Sequence, residues 1–393
     1  MTSPPHDFPP IPDFDYDPRT RLVFGAGALA RLGEFASELG GGRVLLVSDP
    51  GLRDAGHEQR ALGLLEAAGM QVRIFDDVPP NPTTDDVDKG ARFAQSLGID
   101  LIIGLGGGSS MDCAKGINFL LTNGGRMEDY RGMGQARNPL LPMIAVPTTA
   151  GTGSEAQSYA VISHAQSHEK MACGDKRAAP RVALLDPELT LTMPASVTAF
   201  TGIDAISHAV ESYVTTRRNP ISQLFARRAW RMLSQAFPVV VEQPDNLAAR
   251  GAMLLGAHLA GAAIENSMLG ATHALANPVT ARFDVTHGVA IGVLLPHVVR
   301  FNAPAVDGLY GQLCADAGIS VNGTPAAEPL AKRLRHFVAL SGGPTTLAEC
   351  GVDPTQLETM SREAGEQWTG RFNPRPAGPK DFEELYRCAL SPA

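Results

Sequence analysis

Between residues 20 and 186 the chain repeats one pattern: a short aliphatic or β-branched run, a turn, then a longer amphipathic segment. The runs are RVLLV (43–47), QVRIF (71–75), DLIIGL (100–105), PMIAV (142–146) and VALLD (182–186), with helices predicted near 58–68, 84–98 and 111–121. Strands that alternate with helices, and that are apolar on both faces, predict a mostly parallel sheet covered on either side. After Asp186-Pro187 no comparable strand run recurs. Long segments rich in Ala, Leu, His and Arg follow, punctuated by Pro194, Pro220, Pro238, Pro244, Pro278, Pro296 and Pro304, which predicts an all-α second half. The boundary is expected between 186 and 196. The division is an extended N-terminal arm (1–15), an α/β domain (16–190) and a helical domain (191–393).

Composition narrows the partners. A formal charge of −8 and 44% hydrophobic content describe a globular chain with no global attraction to nucleic acid or anionic lipid. The five cysteines are odd in number, widely spaced and without a CxxC pair, which argues for a reducing compartment, the cytoplasm. No uninterrupted apolar run reaches the roughly 18–20 residues of a membrane span. The Ala/Gly-rich segment 247–266 is interrupted by Arg250, His258 and Glu265, so it reads as a tightly packed core helix.

Three polar stretches carry the chemistry. GLGGGSSMDCAK (104–115) follows a strand and opens a helix, so the N–H groups at Gly106, Gly107, Gly108 and Ser109 can approach a pyrophosphate. PTTAGTGSE (147–155) follows the next strand and adds hydroxyls at the same carboxyl edge, where open α/β sheets bind ligands. Asp49 ends the first strand; an acid there suits the ribose hydroxyls of NAD and repels the 2′-phosphate of NADP, and its competing reading is a helix cap. In GIDAISH, Asp204 and His208 are i and i+4 and share a helix face. With His273 and His287 they offer one carboxylate and three imidazoles, a donor set suited to Fe(II) or Zn(II). His258 and His297 are read as packing residues.

GGGSSMDCAK, VPTTAGTGSE, DPEL followed by MP, GIDAISH, GATHALANP, THGVAIGVLLPHVVRFN and NPR (373–375) together resemble the iron-containing (group III) alcohol dehydrogenase family, with its dehydroquinate synthase-like fold. The resemblance implies that Asp204, His208, His273 and His287 are metal ligands. It also implies that Asp49 and Lys170 meet cofactor ribose, that Gly106 to Ser109 meet the pyrophosphate, and that Thr148, Thr149 and Thr152 lie near adenine and nicotinamide. The implied activity is hydride transfer between a primary alcohol and NAD, with NADP second, in a homodimer or larger assembly. Its rivals are a hydroxyacid–oxoacid transhydrogenase or a lyase on the same fold, and a non-catalytic NAD-binding protein. Tyr159 and Ile264 fall where the family's substrate pocket is expected. One position departs: relatives commonly carry a second histidine four residues after the third ligand, and here it is Asn277, which cannot act as a general base near neutral pH.

Overall fold

The computed structural model describes residues 11–167 and 169–391. The first ten residues of the predicted arm, and His168, therefore lie outside the described residues. Residues 11–20 have no regular structure; Asp15, at the end of the arm, approaches Lys176 at 3.9 Å, and just beyond it Tyr16 packs on Phe225 and Arg19 approaches Glu265 at 3.8 Å, on the helical half.

The first half contains strands β1 (Arg21–Phe24), β2 (Arg43–Val47), β3 (Gln71–Phe75), β4 (Leu101–Gly106), β5 (Gly132–Met133), β6 (Met143–Pro147), β7 (Tyr159–Ser163), β8 (Lys170–Gly174) and β9 (Val182–Leu185). Its helices are α1 (Leu32–Glu38), α2 (Pro50–Asp54), α3 (His57–Ala67), α4 (Thr84–Ala94) and α5 (Gly108–Asn123). Six strands form one parallel sheet in the order β1-β9-β6-β4-β2-β3. Side chains alternate between its faces: Leu45, Val47, Ile102 and Ala145 pack under α4 and α5, while Val44, Leu46, Ile103 and Ile144 pack with Leu32, Phe35 and Leu65 of α1 and α3. The five predicted strands are all present within a residue or so of their expected limits. A second, three-stranded sheet, β5-β8-β7, was not expected; its β7–β8 hairpin is antiparallel, with Tyr159 opposite Gly174 and Ser163 opposite Lys170.

The second half is helical: α6 (Ala195–Val214), α7 (Pro220–Glu242), α8 (Leu247–Glu265), α9 (Ala271–Phe283), α10 (His287–Asp316), α11 (Ala327–Leu340), α12 (Leu357–Glu366) and α13 (Pro379–Ala389). Not every proline punctuates. Pro220 opens α7 at its first position, but Pro238, Pro278, Pro296 and Pro304 lie inside helices. Burial of these helices in one shared core compensates the lost backbone bonds, and only Pro304 is accompanied by a break, at Val306. By length and composition α8 and α10 could each span a membrane, but 67% of either apolar window is buried inside this core. Arg250 of α8 is itself buried, donating to the Pro244 carbonyl and the Thr198 hydroxyl.

Two close approaches join the halves. A side chain at Gly261 of α8 would place its Cβ 2.4 Å from the Gly153 carbonyl oxygen, and one at Gly151 would meet Thr201 of α6 at 2.6 Å. The loop after β6 thus rests directly on α8 and on α6, the helix that carries Asp204 and His208. His258, read as a packing residue, instead reaches Glu155 across this seam at 3.3 Å, and Ser158 donates through both its N–H and its hydroxyl to Glu265.

Candidate metal and cofactor site

The sequence places Asp204, His208 and Glu211 at i, i+4 and i+7 of α6, one buried stripe facing α9 and α10. His273 lies in the first turn of α9 and His287 is the first residue of α10. Tight contacts set both helix starts. A Cβ at Gly288 would overlap the Phe200 carbonyl oxygen of α6 at 2.1 Å, and one at Gly270 would press on Asn373 and Glu211 at 3.0 and 3.1 Å. Asn373 accepts from the Ala271 N–H and exchanges amide hydrogen bonds with Asn302, so the NPR segment anchors the start of α9.

All four predicted ligands converge. Asp204 Oδ1 stands 3.4 Å from His208 Nε2, 3.6 Å from His273 Nε2 and 3.8 Å from His287 Nε2. His208 Nε2 and His273 Nε2 are 3.1 Å apart. Ligand atoms about 2.1 Å from one cation in a tetrahedron lie roughly 3.4 Å from each other, and Asp204, His208 and His273 come close to that spacing, while His287 approaches Asp204 but stands outside the group whose ligand atoms all lie within 4.8 Å of one another. Asp204 Oδ1 is buried and accepts no hydrogen bond, a costly state for a carboxylate that a cation would relieve. The donor set therefore fits a divalent metal.

The electrostatics agree. Burial alone would raise the Asp204 pKa, but the neighbouring imidazoles of His208, His273 and His287 outweigh it and hold the carboxyl well below its usual range. Burial keeps His208 and His287 neutral, assisted at His287 by the nearby Lys170 ammonium. His273 is the exception. Burial would lower its pKa, yet Glu211 and Asp204 raise it to about 9.

Sequence reasoning missed Glu211, although its position on the Asp204 stripe was a readable signal. Its carboxylate accepts from the Thr272 N–H at 2.8 Å and pairs with His273 Nδ1, which orients Nε2 toward Asp204. Replacing Glu211 with Gln is expected to weaken metal affinity about 10- to 100-fold with the fold retained, as read by competition with a chelator.

The cofactor candidates gather at the carboxyl edge of the sheet. Gly106 ends β4 with φ +148°, and an added Cβ there would meet Ser110 Oγ at 2.4 Å and Asp49 Oδ2 at 3.2 Å. Gly107 and Gly108 open α5 without a side-chain cap, which leaves first-turn N–H groups available for a phosphate. Thr149 and Thr152 lie against these two glycines, and the buried Thr148 donates its N–H to the Gly106 carbonyl. Ser109 Oγ accepts from the Asn81 N–H. Asp49 does cap a helix, α2, through the Leu52 N–H, while its other oxygen accepts from Ser110. Lys170, at the start of β8, has its pKa lowered by burial against the pull of Asp204, and its charge acts on both Asp204 and His287.

Of the pocket candidates, Ile264 is buried at the seam, beside Glu265. Tyr159 stacks on Trp368, and Asn277 donates to Gln367 at 2.9 Å. The buried Lys115, which sequence reasoning left unassigned, donates to the Ser154 carbonyl and hydroxyl and to the Tyr159 carbonyl, fixing both ends of the loop that leads into β7.

A glycine-rich sheet edge beside a buried cluster of Asp204 and imidazoles is the arrangement expected of a metal-dependent, nucleotide-linked enzyme of the α/β-plus-helical type. Profiles of known families agree. The one described as iron-containing alcohol dehydrogenase matches residues 18–187, and that of the Fe-containing alcohol dehydrogenase family C-terminal region matches 198–390. The chain belongs to the iron-containing alcohol dehydrogenase family and is an oxidoreductase acting on CH–OH groups. It is 34% identical to the NAD-dependent methanol dehydrogenase of Bacillus methanolicus over 94% of this chain and 97% of that one. It is 35% identical to the 1,3-propanediol dehydrogenase of Klebsiella pneumoniae over 96% and 99% of the two chains. A crystal structure of 1,3-propanediol oxidoreductase superposes with a TM-score of 0.93 at 35% identity, covering 96% of this chain and all (100%) of the other.

Proposed function

We propose that the enzyme transfers hydride reversibly between a primary alcohol and NAD, with Fe(II) held by Asp204, His208, His273 and His287 and Zn(II) as the second choice. The observation that carries this reading is the single unsatisfied oxygen of Asp204 within 3.8 Å of three imidazole nitrogens, beside the glycine-rich edge of the sheet. When bound, the cation supplies Lewis acidity, lowering the pKa of an alcohol oxygen and polarising the carbonyl in the reverse direction. The chain's own residues do the rest. Gly106 to Ser109 receive the pyrophosphate on open N–H groups, and Thr148, Thr149 and Thr152 border the nicotinamide path. Lys170 and Asp49 take the ribose hydroxyls. Glu211 holds the His273 ring in register.

The proton route excludes two residues. Asn277 is an amide, and burial, with Glu265 adding to it, pushes the Tyr159 hydroxyl up to about 12, so it keeps its proton at neutral pH. The proton leaves through water or the cofactor's ribose hydroxyls.

In this reading residues 16–190 form the cofactor domain and 191–393 the metal domain, with the cleft between them as the active site. The five unpaired cysteines support a cytoplasmic enzyme. Leu22 and Phe24, exposed on the outermost strand β1, support pairing with a second copy in a homodimer or larger assembly. The cofactor assignment is tested with NADH and NADPH side by side across an aldehyde panel. NADH should be preferred at least about tenfold, and Asp49→Asn, which keeps the helix cap but removes the charge, should shift that ratio toward NADPH by about tenfold. An unchanged ratio would show that Asp49 is a cap alone.

A further inference from the structure

The substitution at position 277 is resolved by what its side chain holds. On α9, Asn277 follows the ligand His273 by four residues and so shares its helix face. Its amide donates to Gln367 Oε1 at 2.9 Å. The segment that begins at Gln367, the turn Trp368–Phe372, packs on the same helix: a side chain at Gly370 would meet Ala274, the neighbour of His273, at 3.3 Å. Trp368 then reaches across the domain seam and stacks on Tyr159, with ring centroids 6.0 Å apart and planes 28° apart, while Phe372 meets Trp368 edge-on at 6.4 Å.

Both rings are held from behind. The Tyr159 carbonyl accepts from the buried Lys115, Ser158 is clasped by Glu265, and the Tyr159 ring lies over Gly174, where an added Cβ would come within 2.5 Å of it. The Phe372 carbonyl accepts from the Thr216 N–H at 2.9 Å. Both rings are half-buried, Tyr159 lying between Trp368 and Gly174, and Asn277, one turn after His273, ties the turn that carries Trp368 to that helix, with the buried Ile264 next to the Glu265 clasp. Ring faces bind flat and extended apolar groups and offer nothing to a second hydroxyl.

We propose that Trp368, stacked on Tyr159 and held by the Asn277–Gln367 amide pair, is the specificity-determining wall of the substrate site and selects primary alcohols and aldehydes bearing an aromatic or other flat apolar substituent. This rests on the alcohol dehydrogenase reading above. Asn277 is a positioning residue in it: the position exchanges a proton-carrying side chain for one that fixes the wall.

The test uses metal-loaded enzyme with NAD and compares kcat/KM for benzyl alcohol with that for ethanol. Trp368→Ala should lower the ratio at least about tenfold, mostly through KM for benzyl alcohol, while Trp368→Phe keeps it within about threefold. The chain has two tryptophans, and Trp230 is fully buried with its indole N–H bonded to the Leu313 carbonyl, so acrylamide-quenchable emission reports Trp368. Asn277→Leu and Gln367→Leu should each raise quenching and lower the ratio, and the double variant should do no more than either one. A ratio unaltered by Trp368→Ala, or quenching and ratio unaltered by Asn277→Leu, would overturn the proposal. If the wild-type enzyme oxidises neither alcohol, the functional reading fails separately, and the wall is then decided by whether benzyl alcohol, unlike ethanol, protects Trp368 from acrylamide.

Discussion

Replacing His273 with alanine should remove the bound metal and lower kcat/KM by at least about 10³-fold, the scale on which a Lewis-acid cation stabilises developing charge. Three ligands would remain, but the loss is compounded. Glu211 would keep only the Thr272 N–H as partner, leaving a buried carboxylate without its imidazole next to the orphaned Asp204 oxygen. Asn277→Ala, one turn along the same helix, serves as the control: metal content by elemental analysis should stay near wild type. Retention of metal and activity by His273→Ala would mean that the cluster is a structural hydrogen-bond network.

The second large effect is on metal uptake as a function of pH. In the metal-free protein Asp204 is ionised and His208 and His287 are neutral at pH 7, so the proton that a cation must displace sits on His273, whose pKa is about 9. Affinity for Zn(II) or Co(II) should therefore rise about tenfold per pH unit between roughly 7 and 9, then level off. The same group predicts the stability of the metal-free fold. A pKa raised above the unfolded value of about 6.5 adds stability that is fully present below that pH and is lost as pH climbs through about 9. Thermal unfolding of metal-free protein should thus fall in temperature from pH 7 to 9.5, and the metal-loaded protein should lack that particular loss. A pH-independent affinity would contradict the proton assignment.

The sheet was legible because its strands are short, apolar on both faces and separated by turn residues, a local signal. Strand β4, Gly106 to Gly108 and the start of α5 could be read together for the same reason. The β7–β8 hairpin was not. YAVIS and KMACG mix polar and small residues, since one face of this small sheet meets the α5 core and the other is partly open. The four proposed metal ligands were nameable because their motifs are ordered along the chain, yet no periodicity brings His273 to Asp204. That approach depends on Gly270 and Gly288 letting α9 and α10 start against α6. Trp368 and Lys115 act through contacts between segments distant in sequence, where neither residue type nor spacing announces a partner. At Asp49 the cap reading is realised, with one oxygen accepting from the Leu52 N–H and the other from Ser110 of the glycine-rich loop.

Asp204, His208, His273 and His287 are proposed to hold a catalytic cation beside a bound NAD. This is tested most directly by stripping the protein with a chelator, restoring it anaerobically with Fe(II) or with Zn(II), and following NADH oxidation by an aldehyde. Activity should be lost on stripping and should return in proportion to metal, saturating near one ion per chain. Metal-free protein that reduces the aldehyde as fast as the restored enzyme would contradict the account.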